Sequence, residues 1–136
     1  MYGGTALIIN GVPVVTAYAQ VDVVSAEQLR MVLADLAARG QATIVVDMTR
    51  TRFCDSAGLS VLAGAHRRAR AVGGGLRVVI PAGSPVCRVF TLTSLDRVIP
   101  RFASVDEALA TRPAAVTPEP GSAAGDAGTG PGQTGR

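Results

Sequence analysis

Tryptophan and lysine are absent from this chain of 136 residues, histidine occurs once and cysteine twice. Each shortage excludes something. His66, Cys54 and Cys87 are the only imidazole and thiol ligands, and no CxxC spacing joins them, so no metal site and no cofactor is expected. Two distant cysteines without a disulfide framework fit a reduced, cytoplasmic protein. Aromatic residues make up 4% of the chain, and none neighbours the one basic cluster, His66-Arg67-Arg68 with Arg70. Stacking platforms for nucleic acid are therefore missing, and no direct nucleic-acid contact is expected. No apolar run approaches the roughly 18 residues that a membrane-spanning helix needs. Ala17-Tyr18-Ala19 imitates a signal-peptide cleavage site, but no Lys or Arg precedes it, and Asn10-Gly11 and Pro13 interrupt the apolar run. Neither a signal peptide nor a membrane partner is expected.

What is present is one domain's worth of patterned sequence. Composition changes at Pro113, after which residues 113–136 hold four prolines and six glycines. Such a segment is expected to be a disordered tail. Residues 1–112 have the usual size of a single domain with one core. They carry 12 Arg against 8 Asp plus Glu, and the tail brings the total to +3. With every cation an arginine in an alanine-rich chain, a high-GC coding bias explains the basic balance, and the charge says little about partners.

Leu7-Ile8-Ile9 and the run 12–18 flank Asn10-Gly11, the dipeptide that best supplies two positive-φ positions in a two-residue hairpin turn. The chain is expected to open with an antiparallel hairpin, with Pro13 at a strand start or sheet edge because it lacks an N–H. Ser25 with Gln28 reads as a capping box, and Leu29, Val32, Leu33 and Leu36 follow at helical spacing up to Gly40. Thr43-Ile44-Val45-Val46-Asp47 is apolar without alternation, the pattern of a central strand covered on both faces. A helix over 59–70 follows, closed by Gly73-Gly74-Gly75, then an apolar strand over 76–80. Val86, Val89 and Phe90 suggest a further helix, Val98-Ile99 a short strand, and Ser104 with Glu107 the cap of a last helix. The expected fold class is α/β: a mixed, mostly parallel sheet with an N-terminal antiparallel hairpin, covered by about four helices.

Chemistry concentrates in Cys54-Asp55-Ser56-Ala57-Gly58, at the carboxyl end of the central strand, where α/β folds place ligand sites. The segment differs by one residue from the G-x-S-x-G elbow of serine hydrolases. A nucleophilic serine needs a base, however, and His66 stands ten residues along the same helix, roughly 15 Å away at 1.5 Å per residue. Catalysis is thereby excluded, and no enzyme is expected. Two readings stay open from the residues alone. Ser56 or Asp55 is an N-cap, or Ser56 is a phosphate acceptor at a helix start, where free N–H groups and the helix dipole favour negative charge. Cys54 reads as a small buried apolar residue, and His66 is assigned no role.

Two segments carry a resemblance. Ile44-Val45-Val46-Asp47-Met48, continued by Phe53-Cys54-Asp55-Ser56-Ala57-Gly58-Leu59, is similar to the strand, loop and D-S-x-G-L helix start of the SpoIIAA-like anti-anti-sigma factors, the anti-sigma factor antagonists built on the STAS domain. Leu92-Thr93-Ser94-Leu95-Asp96-Arg97-Val98-Ile99-Pro100 with Ser104-Val105-Asp106-Glu107-Ala108-Leu109 resembles that family's closing strand and helix. The resemblance spans nearly all of 5–110. It implies that Ser56 is the phosphorylated serine and that Asp22, Asp55, Ser56, Ala57 and Gly58 form the surface on which a partner docks. It implies as partners an anti-sigma factor with serine-kinase activity and a serine phosphatase that resets Ser56. The unmodified protein would occupy the anti-sigma factor and so release a sigma factor for transcription.

The chain also departs from the family pattern. The second strand reads Ala19-Gln20-Val21-Asp22, keeping the aspartate but not the family's glycine, and Ala57 replaces a second serine common in relatives. A different reading from the same family is a STAS module that is never phosphorylated and instead senses a small ligand or scaffolds a signalling assembly.

Overall fold

In the computed structural model, which describes residues 6–110, Asn10 and Gly11 take φ values of 53° and 80°. They turn β1 (Ala6–Ile9) back onto β2 (Val12–Thr16) as an antiparallel pair in which Ile8 faces Pro13, as the Asn-Gly signal demands. The chain continues through β3 (Gln20–Val21), α1 (Val23–Ala38), β4 (Thr43–Asp47), β5 (Phe53–Cys54) and α2 (Ser56–Ala71). It then forms β6 (Gly75–Val79), α3 (Pro85–Leu92), a 3-10 turn (Leu95–Arg97), β7 (Arg101–Phe102) and α4 (Val105–Ala110). The main sheet has the order β1-β2-β4-β6-β7, parallel throughout except for the opening hairpin. A second, two-stranded parallel sheet pairs β3 with β5. The expected tail over 113–136 lies outside the described residues.

Strand β4 is buried on both faces, which is why its sequence does not alternate. Ile44 and Val46 face a core shared with Val15, Leu76, Val78, Leu29, Leu33, Leu62 and Phe90, beneath α1, α2 and α3. Val45 faces the other way, with Val14 and Val79, against Ala108 of α4. Arg77 lies on this second face and is buried. Its guanidinium donates to the Ala108 carbonyl and stands 5.9 Å from the Phe102 ring centre, so a cation within the sheet ties α4 down.

Three boundaries differ from expectation. Helix α1 starts at Val23, and its N-cap is Asp22, with Ser25 as the reciprocal N3 partner of the capping box rather than the cap itself. Helix α2 starts at Ser56, three residues before the apolar pattern indicates. The closing strand is Arg101–Phe102, whereas Val98 and Ile99 belong to the turn before it. Ile99 is apolar because it is fully buried, not because it is extended.

His66 acquires a structural role that its sequence context did not reveal. Its Nδ1 accepts the Leu76 N–H at 3.0 Å, so one imidazole joins α2 to the start of β6. Burial, followed by the nearby Arg70 charge, holds it below the ordinary histidine range and favours the neutral ring that accepts this bond.

Candidate functional site

The site is built where two helices begin side by side. Beyond Thr16 and Asp47 the chain extends the parallel pairing of β2 and β4 through Ala17 N–H to the Asp47 carbonyl at 2.9 Å. The buried Thr51 hydroxyl donates to the Tyr18 carbonyl at 2.8 Å and holds the two exit loops together. Arg52 N–H then donates to the Ala19 carbonyl at 2.7 Å and Asp55 N–H to the Val21 carbonyl at 3.0 Å. Strands β3 and β5 are thus locked in register, Val21 beside Cys54, and the next residue of each chain segment is an aspartate. Asp22 and Asp55 cap α1 and α2 respectively.

The two caps are made in the same way. Asp22 Oδ1 accepts the Val24 and Ser25 N–H groups, each at 3.1 Å, and Ser25 Oγ accepts the Asp22 N–H at 2.9 Å. These hydrogen bonds, those from Ser25 foremost, hold the Asp22 carboxyl below the usual aspartate range. Asp55 Oδ1 accepts the Ala57 N–H at 2.9 Å and the Gly58 N–H at 3.2 Å. Asp55 is therefore the N-cap, and Ser56 is the first helical residue. Ser56 is exposed, and among the described residues its hydroxyl makes no hydrogen bond.

This geometry corrects one expectation of how the helix would receive a phosphate. The second and third amides of α2 are already taken by the Asp55 carboxylate, so a phosphate on Ser56 Oγ meets that carboxylate rather than an empty cluster of donors. The dipole of a 16-residue helix still favours the added charge, while the adjacent acid opposes it.

The five expected docking residues occupy different depths. Asp22 and Ser56 are exposed, Asp55 and Ala57 half-buried, and Gly58 buried. A Cβ on Gly58 would lie 2.6 Å from Cys54 Sγ and 2.7 Å from a Val21 methyl, so this glycine lets α2 seat against β3 and β5 and sets the height at which Ser56 is presented. Cys54 beneath it is buried. Its thiol is pushed up to about 12 by burial and by the Asp55 charge, which leaves it protonated and inert.

Sequence reasoning missed the apolar residues of this surface. Val23 and Val24, the first two residues of α1, are 68% and 69% exposed, and Phe53, immediately before Cys54, is 51% exposed. Val23 and Val24 directly follow Asp22, and Phe53 lies two residues before Asp55, so each capping aspartate has exposed apolar residues close to it in the chain. The available signal was the position of two valines directly after an N-cap aspartate, on the turn where a helix has not yet turned a face to its core. Among the described residues no His, Cys, Asp and Glu group could hold a metal, and no helix is long and apolar enough to cross a membrane.

Known proteins share the family and the fold of this chain. The model of the STAS domain matches residues 5–108. The anti-sigma-F factor antagonist RsfB of Mycobacterium tuberculosis is 27% identical over 101 residues, covering 74% of this chain and 80% of that protein. The crystal structure of an anti-sigma factor antagonist from Mycobacterium paratuberculosis superimposes with a TM-score of 0.68 at 27% identity, covering 79% of this chain and 90% of that one. The phosphorylated form of the Bacillus cell-fate determinant SpoIIAA shares the fold, with a TM-score of 0.60 at 24% identity over 79% of this chain and 97% of that one.

Proposed function

This chain belongs to the STAS domain family, and from that premise we propose that it is an anti-sigma factor antagonist switched by phosphorylation of Ser56. The single observation that carries the reading is the presentation of Ser56. Its hydroxyl is exposed and unbonded at the first position of α2, beside a capping aspartate, with the start of a second acid-capped helix next to it. The similarity to mycobacterial anti-sigma factor antagonists supports the choice of partner.

The unmodified surface binds an anti-sigma factor with serine-kinase activity and so frees a sigma factor for transcription in the cytoplasm. The kinase transfers phosphate to Ser56, and a serine phosphatase reverses the step. A phosphoserine adds about −1.5 to −2 charge. It does so next to Asp55, whose carboxylate already holds the Ala57 and Gly58 amides. Desolvating those charges together on docking opposes association. Shifting occupancy from 99:1 to 1:99 requires about 5.5 kcal/mol, and an uncompensated buried charge costs about 3–5 kcal/mol, so burial together with repulsion by Asp55 reaches the required range. No fold change is needed.

The test pairs a phosphotransfer assay with calorimetry. Incubation with ATP and the co-encoded serine kinases, followed by mass spectrometry, is expected to place one phosphate on Ser56. Ser56→Ala retains affinity for the kinase but accepts no phosphate, and Ser56→Asp loses affinity. Equal affinity of the three forms rejects the switch. Failure of every co-encoded kinase to modify Ser56 favours the ligand-sensing or scaffolding role instead.

A further inference from the structure

The two edges of the main sheet are protected very differently. Edge strand β7 has only two residues, follows Pro100, and carries Arg101, whose guanidinium donates to the Ile80 carbonyl at 2.6 Å. Edge strand β1 has four residues and no charge, proline or glycine. Leu7 and Ile8 on it are 58% and 59% exposed. Natural sheets blunt a free edge with charge, proline, a bulge or very short length, because its unpaired N–H and C=O groups template another strand. Among the described residues, strand β1 uses none of these devices.

The face beside that edge is equally open. Register places Ala6 opposite Val15 and Ile8 opposite Pro13, so Ala6 and Ile8 point to the side of the sheet on which α1 lies. A groove runs there between Ala6 and the outer flank of α1, floored by Met31, Val32, Ala34 and Leu36, and Met31 is 58% exposed. Arg30 and Asp35 are the two charged residues of its lining. A two-fold axis between them brings Arg30 of one copy to Asp35 of the other, in both directions at once. The groove is therefore complementary in charge to itself, the property an isologous contact requires. Antiparallel pairing of β1 with a second β1 is itself a two-fold arrangement and sets the two α1 helices antiparallel on one face. Glu27 pairs with Arg30 and Asp35 with Arg39 within each copy, and these exposed contacts can be exchanged at little cost.

We infer that β1 and the α1 flank form an interface with a second copy of this chain, joining two five-stranded sheets into one continuous sheet of ten. The interface lies along the middle of α1, away from its N-terminal turn, so both Ser56 surfaces remain open in the dimer.

Light scattering across a concentration series of the full chain reads the outcome. The wild type is expected to give about twice the monomer mass at the upper concentrations. Ile8→Lys and Met31→Glu should return it to monomer mass while keeping a cooperative thermal transition, since both side chains are exposed. Arg30→Asp should weaken the dimer, and Arg30→Asp combined with Asp35→Arg should restore it, because a two-fold contact re-pairs when both charges are exchanged. A wild type that stays monomeric throughout overturns the proposal, as does a dimer indifferent to Ile8→Lys. So does a chain that dimerises only after deletion of residues 1–5, which would show that this segment covers the edge.

Discussion

Asp22 and Asp55 are equivalent residues of two neighbouring β-α units. Each directly follows one member of the Val21 and Cys54 pair, and each caps the helix that begins after it. The equivalence brings two helix N-termini and two carboxylates to one surface around Ser56. It also means that substitutions there act on stability and on recognition at once, and the two must be separated.

Asp55→Ala is expected to lower stability by about 1 kcal/mol, because the Ala57 and Gly58 amides lose their acceptor. Asp55→Ser should recover most of that loss, since serine also caps helices, while still removing the charge. Urea denaturation of both variants beside calorimetric binding separates the roles. A binding defect in Asp55→Ser without a stability defect assigns the carboxylate to the docking surface.

Gly58→Ala is expected to destabilise by about 1–3 kcal/mol, the range for overpacking, although glycine to alanine in an open helix stabilises. The added methyl would meet Cys54 Sγ at 2.6 Å and a Val21 methyl at 2.7 Å, neither at the end of a flexible side chain. Adding Val21→Ala to the variant should recover part of the loss. A Gly58→Ala variant as stable as wild type, measured by denaturant titration, would contradict the close packing.

Removing the exposed apolar side chains near Asp22 and Asp55 should affect binding and leave folding alone. Val23→Ser with Val24→Ser, or Phe53→Ser alone, exposes little new surface in the free protein and is expected to shift the melting temperature by no more than a few degrees. Affinity for the anti-sigma factor should fall about tenfold or more, the scale of losing well over 1 kcal/mol of apolar burial. Titration calorimetry reads it, and unchanged affinity removes these side chains from the interface.

The His66 ring predicts a pH dependence of known sign. Its folded pKa lies below the ordinary 6.5, so the unfolded chain binds the proton more readily. The contribution is complete above about pH 6.5 and is lost as pH falls through the folded value. Denaturant midpoints taken from about pH 7.5 down to 5 should decline in the wild type, and His66→Gln, which cannot titrate, should flatten that decline. An identical slope in both proteins would show that the Leu76 amide bond does not depend on the neutral ring.

Local signals in the sequence were reliable where local physics decides conformation. Asn10-Gly11 fixed the hairpin because two positive-φ positions are affordable there, and the unalternating 43–47 run identified a strand with both faces covered. Ser104 starts the last helix as its spacing from Glu107 predicts, its Oγ accepting the Glu107 N–H. The start of α1 is ambiguous in the sequence because Ser25 with Gln28 fits a capping box as well as Asp22 with Ser25 does, and β-branched Val23 and Val24 resemble the end of a strand. Register between β3 and β5 decided the matter by placing Asp22 where the helix must begin.

The composition and order of residues alone determined an α/β chain with an opening hairpin, a doubly covered central strand, and a serine beside an aspartate at a helix start. Only the tertiary structure decided which residue caps α2, which amides are already occupied, and that His66 ties α2 to β6. It alone showed that Val23, Val24 and Phe53 near the two capping aspartates are exposed and that, among the described residues, nothing pairs with the outer side of β1. The physical reason is that capping and turn preferences act within a few residues, whereas exposure, amide occupancy and edge pairing depend on which distant segments pack together.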